Sequence, residues 1–387
     1  MYKKIKKRIL SSIPDYLRHH IVRKNLRIDY ELPREYSFKL ASSEDDFQAV
    51  GELVYKRYID VNLQDKSDVK SRLSMYQALP NTAVLMMLKS EKLVGTVSLI
   101  GDSNLGLPSE KIADIDLLKK KRRCCEVSAL AICSEEKGKY LLYLFKYLYE
   151  IAKNVMRVEY LIISTTQKSL SSKLIYNSLL FFEDINESNN IKYEDANGQQ
   201  CQTQVLDLSA AKNIYKQMYI NKKKENNLYY FFIKHVVQQF NIDYKKDIPN
   251  PITLEAAFEK VLTNKFVQKQ LSQDVITKIM SLYNGSPFEQ RIKEYLTSDI
   301  PNFSKRGNYR LPCYDECMLF YKDSYHRCNI INTSEEGLQI KLKKDVKDIS
   351  TDQKLKLLWL KDDDTYAFKN IIIVWKNEFS LGVKYSY

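Results

Sequence analysis

Two arginines and a polar turn near the C-terminus are the residues whose types and spacing most clearly suggest a binding site. The segment SKRGNYRLP places Arg306 and Arg310 on a loop that also contains Gly307. Planar guanidinium groups can bind phosphate through paired hydrogen bonds and can lie flat on an aromatic base, which an ammonium group cannot do. Two arginines after a lysine-rich linker could also be ordinary surface charges. Whether they form a binding site therefore depends on the surrounding sequence.

The polar turn follows in the segment NTSEEGLQI. Asn332 and Ser334 have short side chains that can hydrogen-bond a base edge or the local backbone. Gly337 is expected to adopt a positive φ where the chain turns into the next strand. The pattern N-x-S-x-x-G is a common turn when it stands alone.

The elements around both segments predict a small, six-stranded β-barrel over residues 301–387. Apolar residues recur there with a period of two in short runs separated by turn residues, at 311–321, 325–331, 337–342, 354–360, 366–375 and 380–386. The R-x-x-x-R pair, the N-x-S-x-x-G turn and the ending IIIVW with GVKY resemble PilZ domains. That resemblance implies that the bacterial second messenger cyclic di-GMP binds as a regulatory ligand, singly or as a stacked pair, to Arg306, Arg310, Asn332, Ser334 and Gly337.

Residues 38–208 alternate strand and helix patterns, which predicts an α/β unit. Strand-like runs lie at 38–41, 83–88, 93–100, 127–132, 159–165 and 203–208. Ser43-Glu-Asp-Asp begins one helix, and apolar helices follow at 138–155 and 171–182.

The most specific features of this unit are the motif D-S-x-L-G-L-P at 102–108 and the motif E-V-S-x-L-A-I at 126–132. With the strand and helix order, they resemble N-acyl amino acid synthases, a branch of the GNAT acyltransferase superfamily related to acyl-homoserine lactone synthases. The resemblance implies that the α-amine of an amino acid attacks an acyl thioester, which gives an amide and a free thiol. Ala129 stands where the lactone synthases carry an arginine, so lactone synthesis is disfavoured.

Glu126, at the start of the predicted central strand, is the candidate general base. The attacking amine must be neutral, so a carboxylate that removes its proton, directly or through water, would assist the reaction. The family resemblance points to the same position. A structural salt bridge with Arg122 or Arg123 explains the residue equally well from the sequence alone.

Three further sets of residues have candidate roles. Tyr176 matches the tyrosine of the superfamily pattern F-Y-x-x-x-G-F and would protonate the leaving thiolate, although packing explains one of 28 tyrosines equally well. The resemblance also implies that backbone N–H groups from Leu130 to Ile132, beside a break in the central strand, polarise the thioester carbonyl. Arg57 would bind the acceptor's carboxylate through two hydrogen bonds, although an exposed helix arginine is the simpler explanation.

The donor segment departs from the pattern R/Q-x-x-G-x-G/A that binds coenzyme A in this superfamily. Here it begins with Glu135 and ends with Tyr140, and an acidic and a bulky side chain form a poor cradle for a diphosphate. A thioester of acyl carrier protein, whose phosphopantetheine carries one phosphate, is therefore favoured over acyl-CoA. If the unit has lost its chemistry, the protein would instead be a cyclic di-GMP receptor whose GNAT-like half binds lipid, membrane or a protein partner.

The N-terminal 28 residues hold nine lysines and arginines against Asp15, a net charge of +8 within a total of +13. Residues 1–37 predict either a basic amphipathic helix on an anionic membrane or a lid packed on the protein's own body. The prediction rests on apolar residues that recur at helix-like spacing beside the charged ones. These residues are Ile5, Ile9, Leu10, Ile13 and Leu17.

The bulk composition predicts several folded units and no membrane span. The 387 residues exceed what one core usually serves, and no stretch reaches the roughly 18 apolar residues of a transmembrane helix. Seven cysteines without a CxxC pair indicate neither a disulfide framework nor a zinc site. We therefore expect reduced thiols in a cytoplasm, no metal and no nucleic-acid polymer as partner, with residues 209–300 as a helical connector.

Overall fold

The computed structural model describes residues 13–136, 140–167, 169–185, 191–240, 242, 261, 264, 267, 270–283, 311–312, 316–322, 324–333, 337–343, 349–360, 366–377 and 379–386. Arg306, Arg310 and Ser334 lie outside the described residues. Among the described helices, none is long and apolar enough to cross a membrane.

The first unit is built on a mixed sheet whose strand order is β1-β2-β3-β4-β5-β8-β6, with β7 paired to β8. Every pairing is antiparallel except that of β4 with β5. The strands are β1 (Tyr36–Leu40), β2 (Thr82–Lys89), β3 (Lys92–Gly101), β4 (Cys124–Ile132), β5 (Tyr160–Thr166), β6 (Glu183–Asp184), β7 (Lys192–Tyr193) and β8 (Gln199–Asp207). This arrangement confirms the predicted α/β unit.

The described helices of this unit and of the adjoining segments follow local signals in the sequence. Ser43 caps the second of them as predicted, because its side chain accepts a hydrogen bond from the Asp46 amide while the Asp46 side chain accepts one from the Ser43 amide. The helices are α1 (Asp15–Lys24), α2 (Glu44–Asp60), α3 (Asp116–Lys121), α4 (Leu141–Glu150), α5 (Leu170–Lys173), α6 (Leu208–Tyr219) and α7 (Gln273–Tyr283); π-helical turns extend α4 over Ile151–Val155 and α5 over Leu174–Leu179.

The two faces of the sheet carry separate hydrophobic cores. Helices α2 and α7 cover one face, and α4 and α6 cover the other. Residues beyond 208 belong to this packing: Tyr215 and Phe232 stack with ring centroids 5.4 Å apart, and Phe240 forms a β-bridge with Phe38. The cores of the first unit therefore include residues from Leu26 to Tyr283.

The second unit is a closed antiparallel barrel of six strands in the order β10-β13-β14-β15-β12-β11, closed by the pairing of β11 with β10. The short strand β9 (Leu311–Pro312) pairs with the end of β11. The barrel strands are β10 (Glu316–Tyr321), β11 (Ser324–Thr333), β12 (Gly337–Leu342), β13 (Lys354–Leu360), β14 (Tyr366–Asn377) and β15 (Ser380–Tyr385). The predicted barrel is confirmed, and its alternating apolar side chains form a third core.

The prediction for Gly337 was wrong about its backbone. Gly337 does not have a positive φ; it begins β12 in register with Lys384 of β15. A Cβ atom at this position would overlap the carbonyl oxygen of Val383. Glycine is required because two strands approach closely here and not because the chain turns.

Candidate active site

The site begins where strands β4 and β5 separate. The two strands pair only from Cys124 to Val127 on β4 and from Tyr160 to Ile163 on β5. Beyond these residues β4 follows β3 through a bulge at Ala129, whose φ is 52°, and β5 stays with β8. A parallel pair that parts in this way leaves backbone groups and side chains of both strands facing a gap.

The gap opens into a cavity of about 690 Å³. Its lining combines residues of α2, β4, β5, the π-helical turn at 174–179 and the segment 193–201. The cavity brings together all five residues that the sequence proposed for the first unit, namely Arg57, Glu126, Leu130, Ile132 and Tyr176.

Glu126 is a buried carboxylate at the edge of this cavity, with 2% of its surface exposed. Its strand neighbours are Ile100 on β3 and Ile162 on β5. Burial raises the pKa of Glu126 to about 7, while a hydrogen bond from the Ser109 amide to Oε2 at 2.7 Å acts in the opposite direction. The carboxylate can therefore both accept and release a proton near neutral pH.

The alternative role of Glu126, a salt bridge with Arg122 or Arg123, is not present among the described residues. The Arg122 guanidinium pairs with Glu159, and the Arg123 backbone amide also donates to Glu159. Glu126 has its hydrogen bond from the loop that contains the D-S-x-L-G-L-P motif.

That loop, residues 102–111, is held by a cluster of charges and by a glycine. Lys119 Nζ lies 2.9 Å from Asp102 Oδ1 and also contacts Glu110. Glu110 Oε1 accepts a hydrogen bond from the Leu107 amide at 2.6 Å, and Gly106 adopts a φ of +79° that allows the turn. The cluster fixes the position of Ser109, which was missed in the sequence although it directly follows the motif.

Tyr176 lies on the opposite side of the gap, in the π-helical turn at 174–179, and is 7% exposed. Its ring makes edge contacts with Phe145 and Phe182. Burial raises the pKa of Tyr176, so the phenol stays protonated at neutral pH. No described residue hydrogen-bonds its hydroxyl, and Tyr176 is among the residues that line the cavity.

The arginines of the cavity differ in what they contact. Arg57 forms an ion pair with Asp60 in the last turn of α2. Arg72, which the sequence analysis did not single out, donates to the backbone oxygens of Leu63 and Asp195 and lies 4.6 Å from the centre of the Tyr58 ring. Both guanidinium groups line the cavity.

Residues 49–201 match the family model described as N-acyl amino acid synthase FeeM. The matched residues make up less than half of the chain and lie within the first unit. The match spans the cavity residues from Arg57 to Cys201, including Glu126 and Tyr176. A comparison with curated protein sequences gave no match.

Solved structures of acyltransferases are similar to the first unit. The N-acyl amino acid synthase FeeM from uncultured soil microbes is 19% identical, with a TM-score of 0.40, over 47% of this chain and 95% of that one. An N-acetyltransferase from Staphylococcus aureus Mu50 is 17% identical, with a TM-score of 0.30, over 45% and 98%. A CoA-dependent acyl-homoserine lactone synthase is 14% identical, with a TM-score of 0.34, over 47% and 89%.

The segment predicted to bind the donor, from Glu135 to Tyr140, is acidic and aromatic. Glu136 is buried and accepts hydrogen bonds from the Tyr36 hydroxyl at 2.6 Å and from Lys89 Nζ at 2.8 Å. Tyr140 is buried against Tyr36, with ring centroids 4.5 Å apart. Deeper in the gap, Ser164 Oγ is buried without a hydrogen-bond partner among the described residues.

The barrel site is described only in part. The backbone of Asn332 pairs with Gln339 on β12 and with Pro312 on β9, so it lies beside Gly337 at one end of the barrel. Trp375 packs over Gly382, where a Cβ atom would overlap the indole ring. That contact explains the pairing of IIIVW with GVKY in the sequence.

Proposed function

We propose that this protein is a cytoplasmic N-acyltransferase that joins a fatty-acyl group from an acyl-carrier-protein thioester to the amine of an amino acid, under control of cyclic di-GMP bound to the C-terminal barrel. The observation that carries the proposal is the buried Glu126 carboxylate at the strand gap, with a pKa raised to about 7. A base of this strength at a cavity edge suits proton removal from an amine.

In the proposed reaction, Glu126 accepts the proton that the neutral amine of the acceptor loses as it attacks, directly or through water. The nitrogen attacks the thioester carbonyl, and the backbone of β4 between Leu130 and Ile132 stabilises the oxyanion. The C–S bond breaks and Tyr176 supplies a proton to the thiolate. The products are an amide and a free thiol, and transfer of the proton from Glu126 to Tyr176 through solvent restores both residues.

The donor is proposed to be a carrier-protein thioester because the donor segment does not favour a diphosphate. Glu136 adds a fixed, buried carboxylate, and a negative charge repels the phosphates of coenzyme A. Ser164 Oγ offers a polar group for an amide of the pantetheine arm. A second, apolar cavity of about 30 Å³ adjoins Tyr176 and Val127 and marks a direction in which the acyl chain would extend.

Regulation by cyclic di-GMP is proposed from the resemblance of the barrel to PilZ domains. The barrel also contacts the catalytic unit: Lys341 Nζ on β12 donates to the backbone oxygen of Arg122 at 3.3 Å. Arg122 lies two residues before β4, the strand that carries Glu126. Strand β12 begins at Gly337, so a ligand at its first residue could shift the contact made by Lys341.

The activity is tested by incubating the protein with acyl-carrier thioester or acyl-CoA and a mixture of amino acids, with and without cyclic di-GMP. Mass spectrometry should detect N-acyl amino acids, formed faster from the carrier thioester, at a rate that cyclic di-GMP changes. Product from acyl-CoA alone would refute the donor assignment. No product in any condition, with ligand binding intact, would refute the enzyme and favour a non-catalytic receptor.

Ligand binding is tested separately by calorimetry with cyclic di-GMP. The double variant Arg306→Ala with Arg310→Ala should lose binding, since each charge-assisted hydrogen bond contributes about 1.5–3 kcal/mol. Lys305→Ala, on the same segment, is the matched control and should bind almost as the wild type does. Unchanged affinity in the double variant would refute the site.

A further inference from the structure

Helix α1 lies against the first unit through Arg18, His19 and Arg23. Arg18 is only 6% exposed. His19 Nδ1 lies 2.7 Å from Ser178 Oγ, and Arg23 Nε donates to the Ser178 carbonyl at 2.6 Å. The Arg23 guanidinium also covers the ring of Phe181 at 4.3 Å. These polar contacts, and not an apolar stripe, attach α1 to the protein.

Three apolar side chains of α1 are exposed instead. Tyr16 is 70% exposed, Leu17 41% and Ile21 40%. An amphipathic helix on a globular protein normally buries its apolar side and presents its charges to water. Helix α1 departs from this pattern at Leu17 and Ile21, whereas Ile5, Ile9 and Leu10 of the predicted apolar stripe lie outside the described residues.

The end of α6 lies near α1 and carries further exposed apolar side chains. Phe181 contacts both the Arg23 guanidinium and the ring of Tyr215 on α6, so the two helices share one anchor. The segment after α1 continues beside the segment after α6, because the Ile28 amide donates to the Glu225 carbonyl at 2.8 Å. We call the outward residues Leu17, Ile21, Lys24, Met218, Ile220 and Lys222 the α1–α6 surface.

The α1–α6 surface combines apolar and cationic side chains. Met218 is 42% exposed and Ile220 50%, and Lys24 and Lys222 are exposed as well. Lys223 and Lys224 follow directly, and the first 28 residues carry a net charge of +8. Exposed apolar side chains bordered by lysines match the interface of an anionic bilayer, where apolar groups insert between headgroups and lysines meet lipid phosphates.

We propose that the α1–α6 surface binds an anionic lipid bilayer. This proposal stands independently of the proposed acyltransferase activity, because it rests on side chains outside the catalytic cavity. Salt should weaken the binding, since its electrostatic part is screened over a Debye length. A bilayer without anionic lipid should bind the protein poorly, because the exposed apolar area is small.

The test is sedimentation of the full-length protein with vesicles of phosphatidylcholine alone and of phosphatidylcholine mixed with phosphatidylglycerol. The wild type should sediment with the anionic vesicles only. Leu17→Glu combined with Ile21→Glu should lower the partition coefficient by about tenfold or more, because the carboxylates oppose insertion and repel the lipid. Met218→Glu should lower it in the same direction.

Leu117→Glu is the matched control, because Leu117 is 70% exposed on α3, which is not part of the α1–α6 surface. It should partition as the wild type does, and circular dichroism should give the same thermal unfolding for all variants. Equal binding to neutral vesicles would overturn the proposal. So would wild-type binding by the Leu17 and Ile21 double variant, or a wild type that sediments with neither vesicle.

Discussion

Replacing Glu126 by glutamine should change both the pH dependence of catalysis and that of stability. In the wild type, kcat/KM should rise with pH through about 7, because the buried carboxyl must be ionised to act as a base. Glutamine cannot accept the proton, so we expect a loss of about 10²–10⁴-fold in rate and loss of this step in the profile. Deprotonation of the acceptor amine also raises the rate with pH. The contribution of Glu126 is therefore measured by the difference between the pH–rate profiles of the wild type and Glu126→Gln.

The stability effect follows from the same burial. The pKa of Glu126 lies near 7 in the folded protein, above its ordinary value of 4.5, so the folded state binds the proton more tightly than the unfolded state does. The stabilisation is complete below pH 4.5 and is lost as pH rises through 7, by roughly 3 kcal/mol in total. Glu126→Gln keeps an oxygen that can accept the Ser109 hydrogen bond and should unfold without this loss.

The assays are initial rates of N-acyl product formation and urea unfolding, each measured between pH 5 and 8.5 on the wild type and Glu126→Gln. Glu183→Gln, which removes an exposed carboxylate, is the matched control and should follow the wild type in both. A glutamine variant that retained the wild-type rate and its step near pH 7 would refute the role of Glu126 as base. An unchanged pH dependence of unfolding would refute the burial argument itself.

Three further substitutions test other parts of the molecule. Tyr176→Phe should lower kcat by about 10-fold or more without a comparable change in KM, since only proton donation to the thiolate is removed. An unchanged kcat would show that Tyr176 serves only in packing. Gly337→Ala should destabilise the barrel by about 1–3 kcal/mol in chemical unfolding, because its Cβ overlaps the Val383 carbonyl, and wild-type stability would contradict the described strand approach. Lys341→Gln should preserve the rate without cyclic di-GMP but reduce the response to it, because the contact with Arg122 is lost; a full response in rate assays would exclude that contact from the regulation.

The local patterns of the sequence were sufficient for the architecture. The period-two runs after residue 310 predicted the barrel strands, because a strand with one buried face must alternate apolar and polar residues. Ser43 and Asp46 predicted the start of α2, because capping depends on residues three apart. Glu126 could be proposed from the sequence since its strand and motif were both readable, but its alternative, a salt bridge, could be excluded only by the position of Glu159.

Features that depend on contacts between distant segments were decided by the tertiary structure. Three features involve elements that are far apart in the chain. They are the hydrogen bond from Ser109 to Glu126, the position of Arg72 in the cavity lining and the close approach of two strands at Gly337. Helix α1 gives the clearest case: its spacing predicted an amphipathic helix, but not which side would face the protein. The physical reason is that periodicity defines the two faces of a helix, whereas the partner supplied by the fold, here Ser178 and Phe181, selects the face that is buried.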